Sequence, residues 1–232
     1  MVAVVQSQII TQAAATWSGT FTNPVTAGNT IILLADAAAA SGTVSTSNPL
    51  YNGLSVTGAT KLWDLVEGTS NLIGSAGWML PNVSGSSSSV ALTYTGGGSF
   101  GSGATGVWGI EVSGLGANPI AVLPAASAGT TGTALSSGAT SNAPSSGIAV
   151  GQAAIFGIVL TSTGGGWTYL PQMSSDFGTA GYQLVSSGNV TFAGTGASAA
   201  NGATGAAIIL TSPASPQPLV VPSLAAIQAA NW

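Results

Sequence analysis

The chain has 232 residues, five acidic side chains, one lysine, and no arginine, histidine or cysteine, for a formal net charge of −4. Charged residues make up 3%, against about a quarter in an ordinary soluble domain. This composition excludes disulfides, thiolate nucleophiles and Cys/His zinc sites, and a lone cation excludes the phosphate neutralisation that nucleic-acid binding requires.

Hydrophobic residues at 45% argue for a folded chain, because disorder combines low hydrophobicity with high net charge. Met1 is followed by no basic segment of the kind that opens a secretory signal. Turn-forming Gly, Asn, Ser and Pro recur every eight to twelve residues, the spacing of an all-β sandwich or barrel. Strands are expected over 2–10, 16–22, 30–35, 54–57, 76–80, 89–94, 105–112, 148–150, 153–161, 180–185, 189–192 and 203–211. The longest apolar run, 31–40, is interrupted by Asp36 and covers about half a bilayer, so no membrane insertion is expected. Segment 61–67 is ambiguous: its alternation is poor, and Lys61, Asp64 and Glu67 would align on a short helix. In 105–112, Trp108, Ile110 and Val112 share one face, while Val107, Gly109 and Glu111 share the other, which leaves Glu111 wet. The low-complexity stretches 84–89, 96–103 and 125–146 read as loops or exposed edge strands, and no repeat of fixed period emerges.

The chain changes character at Pro213. Pro213, Pro216, Pro218 and Pro222 make a stiff extended spacer, and Ser223 can cap a short apolar helix running towards Trp232. So short a helix is not stable alone and needs a surface to dock on. The expected organisation is a β-sandwich over 1–212 and an anchor over 213–232, with Leu219, Val220, Val221, Leu224, Ile227 and Trp232 as assembly-interface candidates.

Candidate chemistry is sparse. A serine nucleophile lacks its usual histidine base, and the carboxylate pairs Asp64/Glu67 or Glu111/Asp176 are what five acids offer by chance. Catalytic residues, cofactors and metals are therefore all expected to be none. Gly101-Ser-Gly-Ala-Thr-Gly106 fits a dinucleotide fingerprint, but an alternating strand follows where a helix is required. Asn82-Val-Ser84 and Asn189-Val-Thr191 fit the glycosylation pattern and read as ordinary strand and loop residues. Among the tryptophans, Trp78 and Trp108 read as core, whereas Trp17, Trp63 and Trp167 flank polar loops and are surface-ligand candidates.

One order of motifs stands out: Val25-Thr-Ala-Gly-Asn-Thr-Ile-Ile-Leu33, then Val107-Trp-Gly-Ile-Glu-Val-Ser-Gly-Leu115, Pro119 and Ser146-Gly-Ile-Ala-Val-Gly151. Gly166-Trp-Thr168, Ala180-Gly-Tyr-Gln-Leu-Val-Ser-Ser187, Val190-Thr-Phe192 and an Ala/Ile strand over 203–210 complete it. This order resembles a family of Gly/Ser/Thr-rich jelly-roll domains found in tailed-bacteriophage virion proteins, of minor tail or decoration type. The resemblance implies a jelly-roll-like antiparallel sandwich and no catalytic residues. It also implies a virion-exterior location, with other virion proteins and further copies of the chain as partners, trimers being common in such settings. A host-surface glycan is a further candidate partner. The alternative reading is a carbohydrate-binding or adhesive module, extracellular or on a cell surface.

Overall fold

The computed structural model describes residues 1–12, 16–39, 45–67, 72–95, 100–128, 132–143, 145–155, 160–162, 166–171, 178–200 and 202–211. These form an all-β structure of antiparallel sheets, with no helix among the described residues. The Pro-rich segment and its expected helix lie outside them.

The first ten strands make a sandwich. They are β1 (Ala3–Gln12), β2 (Thr16–Thr20), β3 (Thr30–Ala39), β4 (Ser45–Thr46), β5 (Leu50–Tyr51), β6 (Leu54–Ser55), β7 (Thr60–Glu67), β8 (Leu72–Leu80), β9 (Ser89–Thr95) and β10 (Phe100–Ser113). One sheet runs β1-β10-β3-β8-β7 and the other β2-β9-β5-β6, with β4 on β9. The remaining strands are β11 (Ile120–Ala128), β12 (Gly132–Ala139), β13 (Gly147–Ile155), β14 (Leu160–Ser162), β15 (Thr168–Tyr169), β16 (Gly178–Val185), β17 (Thr191–Ala200) and β18 (Gly202–Leu210). They form sheets β11-β18-β13-β16-β15 and β12-β17-β14.

The two sheet orders are the same order. In each half the first strand pairs with the last, the last with the third, and the third with the hairpin that precedes the next crossover. The second strand pairs with the penultimate in the opposite sheet. This is jelly-roll connectivity, present twice. Register makes the equivalence residue by residue. Asp36 faces Gly106 as Gln152 faces Gly205, Leu34 faces Trp108 as Val150 faces Ala207, and Ile32 faces Ile110 as Ile148 faces Ile209. The sandwich expected over 1–212 is thus a tandem pair, and no fixed period shows in the sequence because the spacing between equivalents changes, Ile32 to Ile148 being longer than Ile110 to Ile209.

The halves pack through their larger sheets, so four sheets are stacked in layers. The outer layer of the first half encloses Phe21, Ile31, Leu33, Trp78, Leu92 and Val107. The middle layer joins Ile32, Leu34, Trp63 and Trp108 of one half to Ile148, Val150, Ala207 and Ile209 of the other. The outer layer of the second half holds Leu135, Ala153, Phe192 and Ala206. Strand β7 lies over β11 and β18, β8 over β18 and β13, and β3 over β13. The two central sheets are covered on both faces, which is why β18 is buried along its whole length.

Three sequence expectations resolve here. Segment 61–67 is strand, and its poor alternation comes from a bulge between Lys61 and Trp63. The glycine-rich fingerprint lies inside the continuous strand β10, as its rejection required. Glu111 is fully buried rather than wet, because the outer sheet and its loops cover that face of β10.

Close approach in the middle layer depends on missing side chains. The Trp63 indole sits between Gly77 and Gly205, where an added Cβ would lie 2.7 Å and 2.5 Å from ring atoms. Replacing Gly205 by alanine should therefore cost about 1–3 kcal/mol through overpacking. Urea denaturation would measure this as a lower midpoint at unchanged slope.

Candidate functional site

Of the three tryptophans proposed as a ligand platform, Trp63 and Trp167 lie in different clusters of the core. Trp63 is buried, not exposed: at 4% exposure it wedges between the halves, and its Nε1–H donates to Ser75 Oγ at 3.0 Å. Trp167 is half-buried, meets Phe192 edge-on at 4.8 Å, and donates to the Thr191 carbonyl at 3.2 Å. Trp17 belongs to β2, opposite Leu92, with its side chain outside the described residues. Leu219, Val220, Val221, Leu224, Ile227 and Trp232 also lie outside the described residues.

The acids are placed by the layering. Asp64, on the edge strand β7, pairs with Lys61 Nζ at 2.6 Å and accepts from the Thr46 amide at 3.2 Å. Lys61 Nζ also donates to the Thr46 carbonyl at 3.1 Å and stands 5.1 Å from the Trp78 ring centroid. Trp78 Nε1–H in turn donates to Thr46 Oγ1 at 2.9 Å, so this cluster fastens β4 against the sheet. Glu111 accepts from three groups of β1 and the β2–β3 loop. These are Asn29 Nδ2 at 2.6 Å, Gln6 Nε2 at 2.7 Å and the Thr26 amide at 2.9 Å. A buried carboxylate survives without a cation when its lone pairs are met in this way.

Asp36 faces the opposite layer. It stands on the middle-layer face of β3 beside Ser75 of β8, and its Oδ2 would be 2.7 Å from a Cβ at Gly178 of β16. Ser75 Oγ, which accepts from Trp63, donates to Gln152 Oε1 at 3.0 Å, so a polar seam crosses between the halves. Asp36 Oδ1 and Gln152 Nε2 have no partner among the described residues. Burial pushes the Asp36 carboxyl from 3.8 up to about 7, with the Gly106 and Asp36 backbone amides opposing the shift.

The proposed carboxylate pairs are not assembled among the described residues. Asp64 and Glu111 belong to different strands of one sheet face and Asp36 to the other face, while the Glu67 side chain and Asp176 lie outside the described residues. No three acidic side chains come together as a cation site among the described residues.

At one end of the first half, loops enclose an open cleft of about 440 Å³ whose lining includes Tyr51, Asn52, Leu54, Pro81, Asn82 and Asn118. No ionisable carboxylate or amine lines it. Sequence reasoning passed over both this cleft and the seam. The available signals were Asp36 interrupting an apolar run and Asn52-Gly53 between two short β segments, the pattern of a two-residue hairpin turn.

No protein-family model matches the chain, and no curated protein or solved structure is significantly similar to it.

Two predictions follow from the acids. The folded chain holds the Asp36 proton to about pH 7, whereas the unfolded chain releases it near 3.8. Its contribution to stability is therefore full below about pH 4 and is lost as pH rises towards 7, on the order of a few kcal/mol in all. Denaturation midpoints across this range should show that fall, and Asp36→Asn should flatten it. Glu111→Ala should cost about 3 kcal/mol or more by stranding buried donors, and Glu111→Gln less because one acceptor oxygen remains. Thermal melts of the two variants would rank them.

Proposed function

We propose that this chain is a non-enzymatic structural protein of a tailed-bacteriophage virion, of minor tail or decoration type, carried on the particle exterior. The observation that carries the reading is where the described acids go. Asp36 and Glu111 are buried in the layers, and Glu111 and Asp64 hold neighbouring loops and strands through hydrogen bonds. Proton transfer in catalysis needs a group within reach of a substrate, and these groups face protein. The jelly roll is a plan used by capsid and lectin modules, and its doubling here makes a rigid block with loop clusters at its ends. The order of short motifs that resembles the virion family runs through the strands of both halves, from β3 to β18.

In this reading the chain works by assembly. Its weakly charged surface packs against further copies and other virion proteins, and residues 213–232 supply the anchor to a neighbour. Such contacts need little electrostatic steering and tolerate high local concentration, as expected of a multi-copy particle component.

Size-exclusion chromatography with light scattering should find the full chain as a homo-oligomer. Deleting 213–232 should reduce that assembly while the β-sheet circular dichroism stays intact. A monodisperse monomer, with and without the segment, overturns the reading.

A further inference from the structure

We propose that the cleft at the loop end of the first jelly roll binds an uncharged carbohydrate. This goes beyond the assembly role and does not depend on it.

The walls are fixed before any ligand arrives. On one side is the β5–β6 hairpin, whose turn residues Asn52 and Gly53 have φ of 51° and 75°, as a type I′ turn requires. The Asn52 amide donates to the Ser89 carbonyl at 3.0 Å, and Tyr51 Oη donates to the Ser87 carbonyl at 2.7 Å. On the other side, Val83 is held by reciprocal bonds, its amide to the Asn29 carbonyl at 3.0 Å and the Gly28 amide to its own carbonyl at 2.9 Å. The linker between the halves closes the cleft with Ala117 and Asn118.

The chemistry left over points to one ligand class. Asn52 and Asn82 are exposed, and no hydrogen bond engages either side-chain amide among the described residues. Each amide offers two N–H donors and an acceptor oxygen, the set that pairs with neighbouring hydroxyls. Leu54 is 70% exposed and lies with Val56 and Pro81 in the same lining, an apolar surface for the C–H face of a sugar ring. No lining residue carries charge at neutral pH, so an anionic or cationic ligand finds no counter-charge. A purely apolar ligand would leave the amides unpaired, which costs affinity. A neutral, hydroxyl-rich ligand with an apolar face satisfies every part of the lining. The cleft volume lies within the usual range for small-molecule sites, about 300–1,000 Å³.

The test uses the full chain, uniformly ¹⁵N-labelled. It is titrated with neutral trisaccharides of glucose, galactose, mannose and N-acetylglucosamine, and with a glucuronate-containing trisaccharide as the charged control. At least one neutral sugar should shift the Asn52 and Asn82 side-chain amide signals with millimolar or tighter affinity, and the charged control should bind no more tightly. Asn52→Gly and Asn82→Gly keep the left-handed backbone while removing the amides. Each should weaken binding about tenfold, and Leu54→Ser should weaken it by a separate route. Three results overturn the proposal: no neutral sugar moves these signals, the charged sugar binds best, or folded variants bind like the parent. Light scattering of the same samples reports assembly independently, so loss of the glycan site and loss of the structural role are told apart.

Discussion

The middle layer, where two five-stranded sheets meet face to face, is the constraint on which the rest depends. Each of those sheets is covered again on its other side, so the side chains of both faces must be satisfied without water. Moving a charge into such a place is costly unless donors surround it. This accounts for the composition: runs of Ile, Leu, Val, Ala and Gly, and very few acids. The exceptions obey the same rule. Glu111 is ringed by three donors, while burial pushes the Asp36 carboxyl up to about 7. Small residues are needed for the same reason, since indoles and carboxyls of one sheet occupy space that a Cβ on the other would claim.

The layering also decides where chemistry can occur. The inner strands β3, β8, β10, β13 and β18 of the central sheets have almost no free face, so exposed groups collect at loop ends, on edge strands and on the outer sheets. The cleft near Asn52 and Asn82 lies at such an end, lined by the β5–β6 hairpin, the turn after β8 and the linker between the halves. The tryptophans, by contrast, follow burial. Trp63 was expected at the surface because it flanks polar loop residues, yet beside a bulge its indole packs inward against Gly77 and Gly205.

The fold class was legible in the sequence because turn residues recur at short intervals and β-branched residues fill the gaps. Jelly-roll form was implied only by the resemblance that the order of motifs carries, and the two faces of β10 were read correctly up to Glu111. What that reading lacked was the second covering layer, since alternation reports two faces and not what lies beyond each. The duplication was invisible for a related reason. Equivalent positions carry Trp108 and Ala207, or Asp36 and Gln152, and the spacing between equivalents drifts as loop lengths change. The cleft escaped notice because three asparagines from separate turns meet only after the chain has folded.

The pairing of Asp36 with Gln152 as equivalent positions sets a limit on symmetry. Two identical half-chains joined through this face would place an acid on both sides of the junction, or an amide on both sides. Tandem covalent linkage lifts that restriction and lets the two sides of the junction diverge, one keeping a titratable group and the other a neutral one. The linked form can therefore hold a composition at its centre that self-association of either half alone would forbid, and neither half is a free substitute for the other.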